Sequence, residues 1–451
     1  MTSLAPTLPC DGSRPLEQVR YVCALGALAS VIAIPGAQPI THCGPGCASK
    51  QFHALSGISG YQGGEFQVPS TNIGNREVIF GGADRLDTVI EATLKVMEAE
   101  LFVVLAGCVP ALIGDDVASV VARHRQRGAP IVLAETSGYQ GNNFTGHEIV
   151  VRAILDQFAD RHAGPTRPDL VNVWSLLPYQ HPFWRGDLEE IHRLLEGIGL
   201  EVNILFGHSS QGVEEWRQVP RAAFNLVLGP WLGLETARHL EAKYGQPFLH
   251  VPTLPIGAQA TGAFLRAVGA FTGRDPRQVE RFIAAEERRY YLYLRDFSSF
   301  YAGCTSQYRL PSALIVVSDS AYALAVASFM VEQLGLVPAG LIVTENPPEA
   351  ARPGIVAAFG ALTGDVPVHF ANDGYEIDRI VRATDLTGHL PILFGTTWEG
   401  EVAQALDAPL IEIGYPCTDE VVLSRASLGY RGALHLIERV YTTVVRAETM
   451  G

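Results

Sequence analysis

The 451-residue sequence has no run of basic residues, and charge of any kind is scarce. Only 18% of residues are Asp, Glu, Lys or Arg, and the acidic ones dominate, to a formal net charge of −14. So acidic a chain has no charge-driven grip on a phosphate backbone, and no nucleic-acid partner is expected. Long apolar runs are missing too. The most apolar N-terminal piece, "YVCALGALASVIAIPGA" at 21–37, is near the lower limit for a membrane span and is broken by Gly and Pro. Arg14 and Arg20 precede it, but Asp11, Glu17 and a long polar lead-in spoil a secretory signal. A soluble, cytoplasmic protein without a membrane partner is expected. Neither G-x-x-x-x-G-K-[ST] nor a G-x-G-x-x-G after a strand occurs, and "FGGADRL" at 80–86 lacks the lysine. Nucleotide binding by this chain is therefore not expected. Cysteine is sparse. Seven in so long a chain, an odd number, argue against a disulfide framework and for a reducing compartment.

What is abundant is apolar side chain, at 47% of residues, enough for a well-buried globular protein. A short β-rich run, a turn and an amphipathic helix recur along the chain. "LFVVLAGC" leads to "IGDDVASVVARHRQRG", with Asp115 or Asp116 as the helix cap, and then to "APIVLAET". "DLVNVWSLL", "LEVNILFG", "FNLVLGP", "PFLHVP", "SALIVVSDS", "LVPAGLIVTE", "LPILFGT" and "APLIEIG" continue the strands, with helical segments between them. Strands alternating with helices predict an α/β fold of mainly parallel sheets covered by helices on both faces. Boundaries are expected at "HAGPTRPD" (162–169) and "YAGCTSQYRLP" (301–311), the latter after the long charged helix "DPRQVERFIAAEERRYYLYLRDF". These give three Rossmann-like domains at 1–165, 166–305 and 306–451, each of about 150 residues. In such sheets ligands bind beyond the carboxyl ends of the strands.

Cys108 ends a strand at such a place, and Cys47 closes the turn "CGPGC", where Gly44, Pro45 and Gly46 free the backbone for close approach. Cys23 begins the apolar run at 21–37. Taken singly, each also fits a buried small hydrophobe. Together they are spaced too widely for paired zinc knuckles or for the C-x₂-C-x₂-C run of a small ferredoxin. A cluster held from separate loop tips fits better, and three thiolates leave an iron–sulfur cube one ligand short, which a partner chain could supply.

These residues carry a resemblance. "CALGA" at Cys23, "HCGPGC" at Cys47 and "GCVPALIGDD" at Cys108 follow, in order, three cluster-ligand motifs of the nitrogenase superfamily component 1 subunits, with "IFGGADRL" between the second and third. "ETSGYQGNNFTGHE" (135–148), "NLVLGPWLGLETARHL", "VPTLPIGAQATGAFLRAV" and "PLIEIGYPCTDE…LGYRGALHLIERV" resemble segments of the β-type (K) subunit, and the C-terminal region has no matching histidine motif of the α-type. The resemblance implies Cys23, Cys47 and Cys108 as metal ligands of half an interfacial P-cluster-like centre of the 8Fe-7S type, with 4Fe-4S as the other form. It implies an α-type (D) partner in an α2β2 heterotetramer and an ATP-dependent 4Fe-4S reductase homodimer as electron donor. No catalytic residue is expected on this chain itself. Cys43 is an extra cysteine, expected as a buried thiol near the ligands. The serine that ligates the oxidised cluster in some β subunits aligns nearest Gly138, with Ser137 one position off. The divergent turn and short N-terminal part resemble leaner members, such as methylthio-alkane reductase. A cofactor-assembly scaffold and an alternative nitrogenase are the other readings; a protochlorophyllide-reductase-like subunit is weaker, because that β-type chain uses an early Asp ligand. His181, Trp184, Arg185 and Asp187 are expected to form a capped helix start around a buried Trp. Cys304 and Cys417 are expected to be structural, and "ERRYYLYLRDF" to be part of an interdomain helix.

Overall fold

The computed structural model describes residues 18–55, 60, 67–304, 308–364 and 366–450. Among them, three sheets are formed, and all pairings between their strands are parallel. The first runs β1 (Ala37–His42), β2 (Leu101–Ala106), β3 (Ile131–Glu135), in that order. The second contains β4 (Arg167–Trp174), β5 (Glu201–Asn203), β6 (Ala222–Leu228) and β7 (Phe248–Val251), ordered β5-β4-β6-β7. The third contains β8 (Ala313–Ser318), β9 (Val337–Val343), β10 (Val368–Phe370), β11 (Pro391–Gly395) and β12 (Leu410–Glu412), ordered β10-β9-β8-β11-β12. All residues of β2, β8 and β11 are buried, which is why these strands read as unbroken apolar runs rather than alternating ones.

Of the two aspartates offered as a cap, Asp116 takes the role, accepting from the Ser119 N–H at the head of the helix Val117–Gln126. Asp115 instead accepts from the Gly82 N–H at 2.7 Å and lies 3.2 Å from His42 Nε2, tying the end of β1 to the loop after the "IFGG" segment. Two expectations need correction. "LEVNILFG" is extended only as far as Asn203. Leu205 turns to φ +70°, and the Glu215 carboxylate captures the N–H groups of Leu205 and Gln211, drawing the backbone out of the sheet. The helix expected to stop before 301 runs from Pro276 to Cys304, so Cys304 ends a helix rather than lying in a linker.

Each sheet falls inside one of the three sequence ranges, but the packing does not stop at their edges. The C-terminal helix Gly429–Met450 lies against Trp184–Gly197, Gly257–Thr272 and Pro276–Cys304. One cluster of buried residues runs from Leu25 to Tyr441 and draws on all three sheets.

Candidate metal centre

The carboxyl edge of the first sheet gathers the cysteines. His42 ends β1 and Cys43 follows it; Gly107 and Cys108 follow β2; Ser137 and Gly138 lie just beyond β3. The segment "CGPGC", read from sequence as a turn, contains the start of a helix, Pro45–Leu55. Proline is suited to a first helical position because its missing N–H would have no helical partner there. Cys47 consequently sits in a first helical turn. Cys108 is the first residue of the helix Cys108–Ile113, and Cys23 is the N-cap of the 3₁₀ helix Ala24–Ala27. Each sulfur is thus carried at the start of a helix, Cys47 with its own N–H bonded to the Gly44 carbonyl at 3.1 Å.

Cys23 is brought to this edge by an antiparallel bridge with Asn142, made by Asn143 N–H to the Val22 carbonyl (2.9 Å) and Ala24 N–H to the Gly141 carbonyl (3.0 Å). The helix Asn143–Gln157 then crosses so close that a side chain at Gly146 would place its Cβ 2.0 Å from the Ala24 carbonyl oxygen. Gly138 marks where the sulfurs meet. Its N–H donates to Cys108 Sγ at 3.0 Å. A Cβ at Gly138 would lie 3.2 Å from Cys108 Sγ, 3.4 Å from Cys23 Sγ and 3.1 Å from Cys23 Cβ. Gln51 Nε2 approaches Cys23 Sγ at 3.7 Å. Burial pushes the Cys47 thiol up, and the negative charges of Cys23 and Cys108 push it further, so the three groups act on one another. Added positive charge, such as that of iron, would relieve this repulsion. Among the described residues no group of three or more His, Cys, Asp or Glu side chains stands close enough together to hold a metal ion.

The other candidates separate from these three. Cys43 is 1% exposed and belongs to the main core; burial pushes its thiol up to about 11, and its sulfur lies 3.9 Å from Ser70 Oγ. The Ser137 hydroxyl is buried and donates to the Gly107 carbonyl. Cys417 is fully buried beside Glu412, and burial followed by that carboxylate drives its thiol far up.

On the elements that carry or adjoin Cys108 and Gly138, several large apolar side chains are exposed. Ile79 and Phe80 end the helix Asn75–Phe80 at 72% and 81% exposure, and that helix packs beside Cys108–Ile113, where Leu112 is 75% exposed. Tyr139, next to Gly138, is exposed as well. Exposed apolar side chains that form a contiguous patch are a common feature of interaction surfaces.

Residues 23–445 match the family described as Nitrogenase component 1 type Oxidoreductase. The chain belongs to that family. It is a β-type chain of nitrogenase component 1, by its relatives. It is 23% identical over 450 residues to the nitrogenase iron-iron protein beta chain of Rhodobacter capsulatus, covering 93% of this chain and 91% of the relative. It is 30% identical over 365 residues to the B subunit of the light-independent protochlorophyllide reductase of Bradyrhizobium sp. strain BTAi1, covering 78% and 65%. The nitrogenase molybdenum-iron protein beta chain of Frankia alni is 23% identical over 448 residues, with 93% and 81% covered. Among solved structures, "Nitrogenase Cp1 at pH 6.5" superposes with a TM-score of 0.76 over 96% of this chain and 94% of that one, at 19% identity, which establishes the shared fold. Among the described residues no helix of this component 1 chain is long and apolar enough to cross a membrane.

In this β-type chain the segment 181–187 is not the capped helix start expected. The helix Trp184–Gly197 begins at Trp184 itself, 1% exposed, and Phe183 provides no side-chain cap. Asp187 points elsewhere. It accepts from the N–H groups of Ser427 (2.5 Å) and Leu428 (2.8 Å) and from the Tyr322 hydroxyl. Burial pushes its carboxyl up to about 7. His181 stacks on Tyr322 at 3.9 Å between ring centres and lies 3.3 Å from Asp319. Sequence reasoning missed this group because its three segments, 181–187, 319–322 and 427–428, lie more than a hundred residues apart. The available signal was acidic residues close after two strands, Asp319 next to β8 and Glu345 two residues beyond β9.

Proposed function

We propose that this chain is the β-type subunit of a nitrogenase-like reductase, and that Cys23, Cys47 and Cys108 hold half of an iron–sulfur centre shared with an α-type subunit in an α2β2 assembly. The observation that carries the reading is the meeting of Cys23 and Cys108 at Gly138, with Cys47 feeling both charges, next to a helix pair that exposes Ile79, Phe80 and Leu112. The partner surface would cover these side chains and supply the remaining ligands. Three thiolates from each chain suit the 8Fe-7S form; a 4Fe-4S cube would need one ligand from the partner. When bound, the centre would relay electrons from an ATP-dependent 4Fe-4S reductase homodimer to the cofactor of the α-type subunit. This chain's own contribution is placement, thiolate charge and the Gly138 N–H donated to sulfur, each of which tunes potential. The extra Cys43 in "HCGPGC" favours a divergent branch, for which methylthio-alkane reductase is the proposed member. The ranges 1–165, 166–305 and 306–451 are proposed as its three domains, and the cytoplasm as its compartment.

The test is to isolate the iron-labelled heterotetramer anaerobically and mix it with reductase, ATP and an unlabelled apo-acceptor. Substrate reduction with the label retained is the expected result. Transfer of a complete cofactor to the acceptor without substrate reduction would replace this reading with an assembly scaffold.

A further inference from the structure

The third sheet changes direction of winding at β8, between β9 and β11, and the crevice beyond such a point is where open α/β sheets bind ligands. Beside it, the carboxyl ends of the neighbouring strands β8 and β9 carry two of the chain's own acids. Asp319 follows β8 and Glu345 lies two residues beyond β9; both are buried, at 2% and 1% exposure. Glu345 accepts from Ser320 N–H (3.0 Å), from the Ser320 hydroxyl and from Trp231 Nε1–H (3.1 Å). Asp319 accepts from the N–H groups of Ala321 (3.1 Å) and Tyr322 (3.4 Å) and from the Ser318 hydroxyl (3.2 Å). The groups facing the pair are His181, Tyr21, Tyr322 and, through Tyr322, Asp187, which itself feels Glu190. His181 is held neutral, its imidazole pushed down to about 3 by burial. Arg20 acts on Tyr21 but is already tied to Glu399. Two buried carboxyls without a cation of their own cannot both ionise cheaply. Burial first, and for Glu345 the charge of Asp319 next, raises both above the usual carboxylate range.

The pair is also fastened to the segment bearing Cys23 from two sides. Tyr21, two residues before Cys23, shares a hydrogen bond of 2.7 Å between its hydroxyl and Thr344 Oγ1, next to Glu345. Asn142, the bridge partner of Cys23, donates its side-chain amide to the Glu345 carbonyl at 2.7 Å. In a poorly screened interior, a charge added at the thiol edge is felt by the carboxyls.

We propose that Asp319 and Glu345 together hold one exchangeable proton, taken up from water when the iron–sulfur centre at Cys23 gains an electron and released when it loses one. The inference rests on the reading above. The electron comes from the external one-electron reductase and the proton from bulk water. One O–H bond forms on the pair, no other bond changes, and the charge added by the electron is cancelled locally. Asp319 and Glu345 are positioning residues for charge rather than catalytic ones.

Two measurements test this. Infrared difference spectra, the chain without iron minus its Glu345→Gln variant, where the amide still accepts from Ser320 and Trp231, should show a protonated carboxyl band that is lost from mildly acidic to alkaline pH; the Asp187 carboxyl, common to both, cancels. Redox titration of the iron-loaded heterotetramer should show a midpoint potential that falls as pH rises through neutrality, and a pH-independent one in Glu345→Gln and in Asp319→Asn. Absence of the infrared band, a pH-independent potential in the unmodified protein, or an unchanged slope in both variants would overturn the proton store. If the heterotetramer binds no iron, the preceding reading fails instead, while the infrared arm still decides whether the pair holds a proton.

Discussion

The Gly138 N–H donates to the sulfur of Cys108 at 3.0 Å, and the position a Gly138 side chain would occupy is 3.4 Å from the sulfur of Cys23. One residue without a side chain therefore stands between two thiols. Gly138→Ala should push the sulfurs apart. Overpacking of this kind costs about 1–3 kcal/mol, so the melting temperature should fall modestly while iron content falls more. Metal analysis alongside calorimetry separates the two effects; full iron content in the variant would show that the space is not needed.

Cys47 and Cys43 should behave oppositely. Cys47→Ala removes a thiolate at the surface edge of the site, and iron per heterotetramer should drop sharply with little change in the melting of the chain alone. Cys43→Ala removes packing in the core and should retain iron while losing about 0.5–3 kcal/mol of stability. Equal iron loss in the two variants would make Cys43 a ligand too.

Stability should depend on pH through Asp187. Its folded carboxyl is raised to about 7 by burial, against roughly 3.9 unfolded. Below the unfolded value both states are protonated. Between the two values only the folded state keeps the proton, so stability falls as pH rises from about 4 to about 7 and levels off above that. Chemical denaturation of the chain across this window should show a smaller decline in Asp187→Asn. An identical decline would assign the pH dependence to other groups.

Arg20 and Glu399 form an ion pair at 2.5 Å with both side chains 2% exposed, joining the segment before Cys23 to the third sheet. Glu399→Ala strands a buried cation and should cost about 3–5 kcal/mol. Replacing both, as Arg20→Met with Glu399→Leu, should recover much of that loss. The comparison is a set of denaturant midpoints; a single variant as stable as the parent would mean that water reaches Arg20.

Much of this architecture is legible in the sequence because parallel strands bury both faces. "LFVVLAGC" and "SALIVVSDS" are apolar throughout and lie almost where their patterns put them. The gathering of Cys47 and Cys108 at one sheet edge follows from their places after β1 and β2. The helix at Pro45 is harder to read, since Gly-Pro-Gly signals a turn equally well and only the unused N–H of proline favours a helix start. The short β5 depends on Glu215 reaching back to Leu205, and nothing in "LEVNILFG" encodes that contact. Asp187 is hidden most completely. Its partners Tyr322, Ser427 and Leu428 come from the far end of the chain, and only the finished packing brings them to it.

The core that runs from Leu25 to Tyr441 has a consequence for how the chain is born. The three cysteines leave the ribosome early, whereas the helix Gly429–Met450, which covers helices of the middle sheet, leaves last. At roughly 5–20 residues per second, the interval between Cys108 and the final helix is on the order of half a minute. Throughout it the shared core is incomplete, because the later residues that belong to it are not yet made. Metal delivered during translation would meet sulfurs without fixed neighbours, and a wrong pairing would be sealed in when the last helix docked. For the ligand set proposed above, this order of synthesis favours loading after release, when Cys23, Cys47 and Cys108 stand at a set edge.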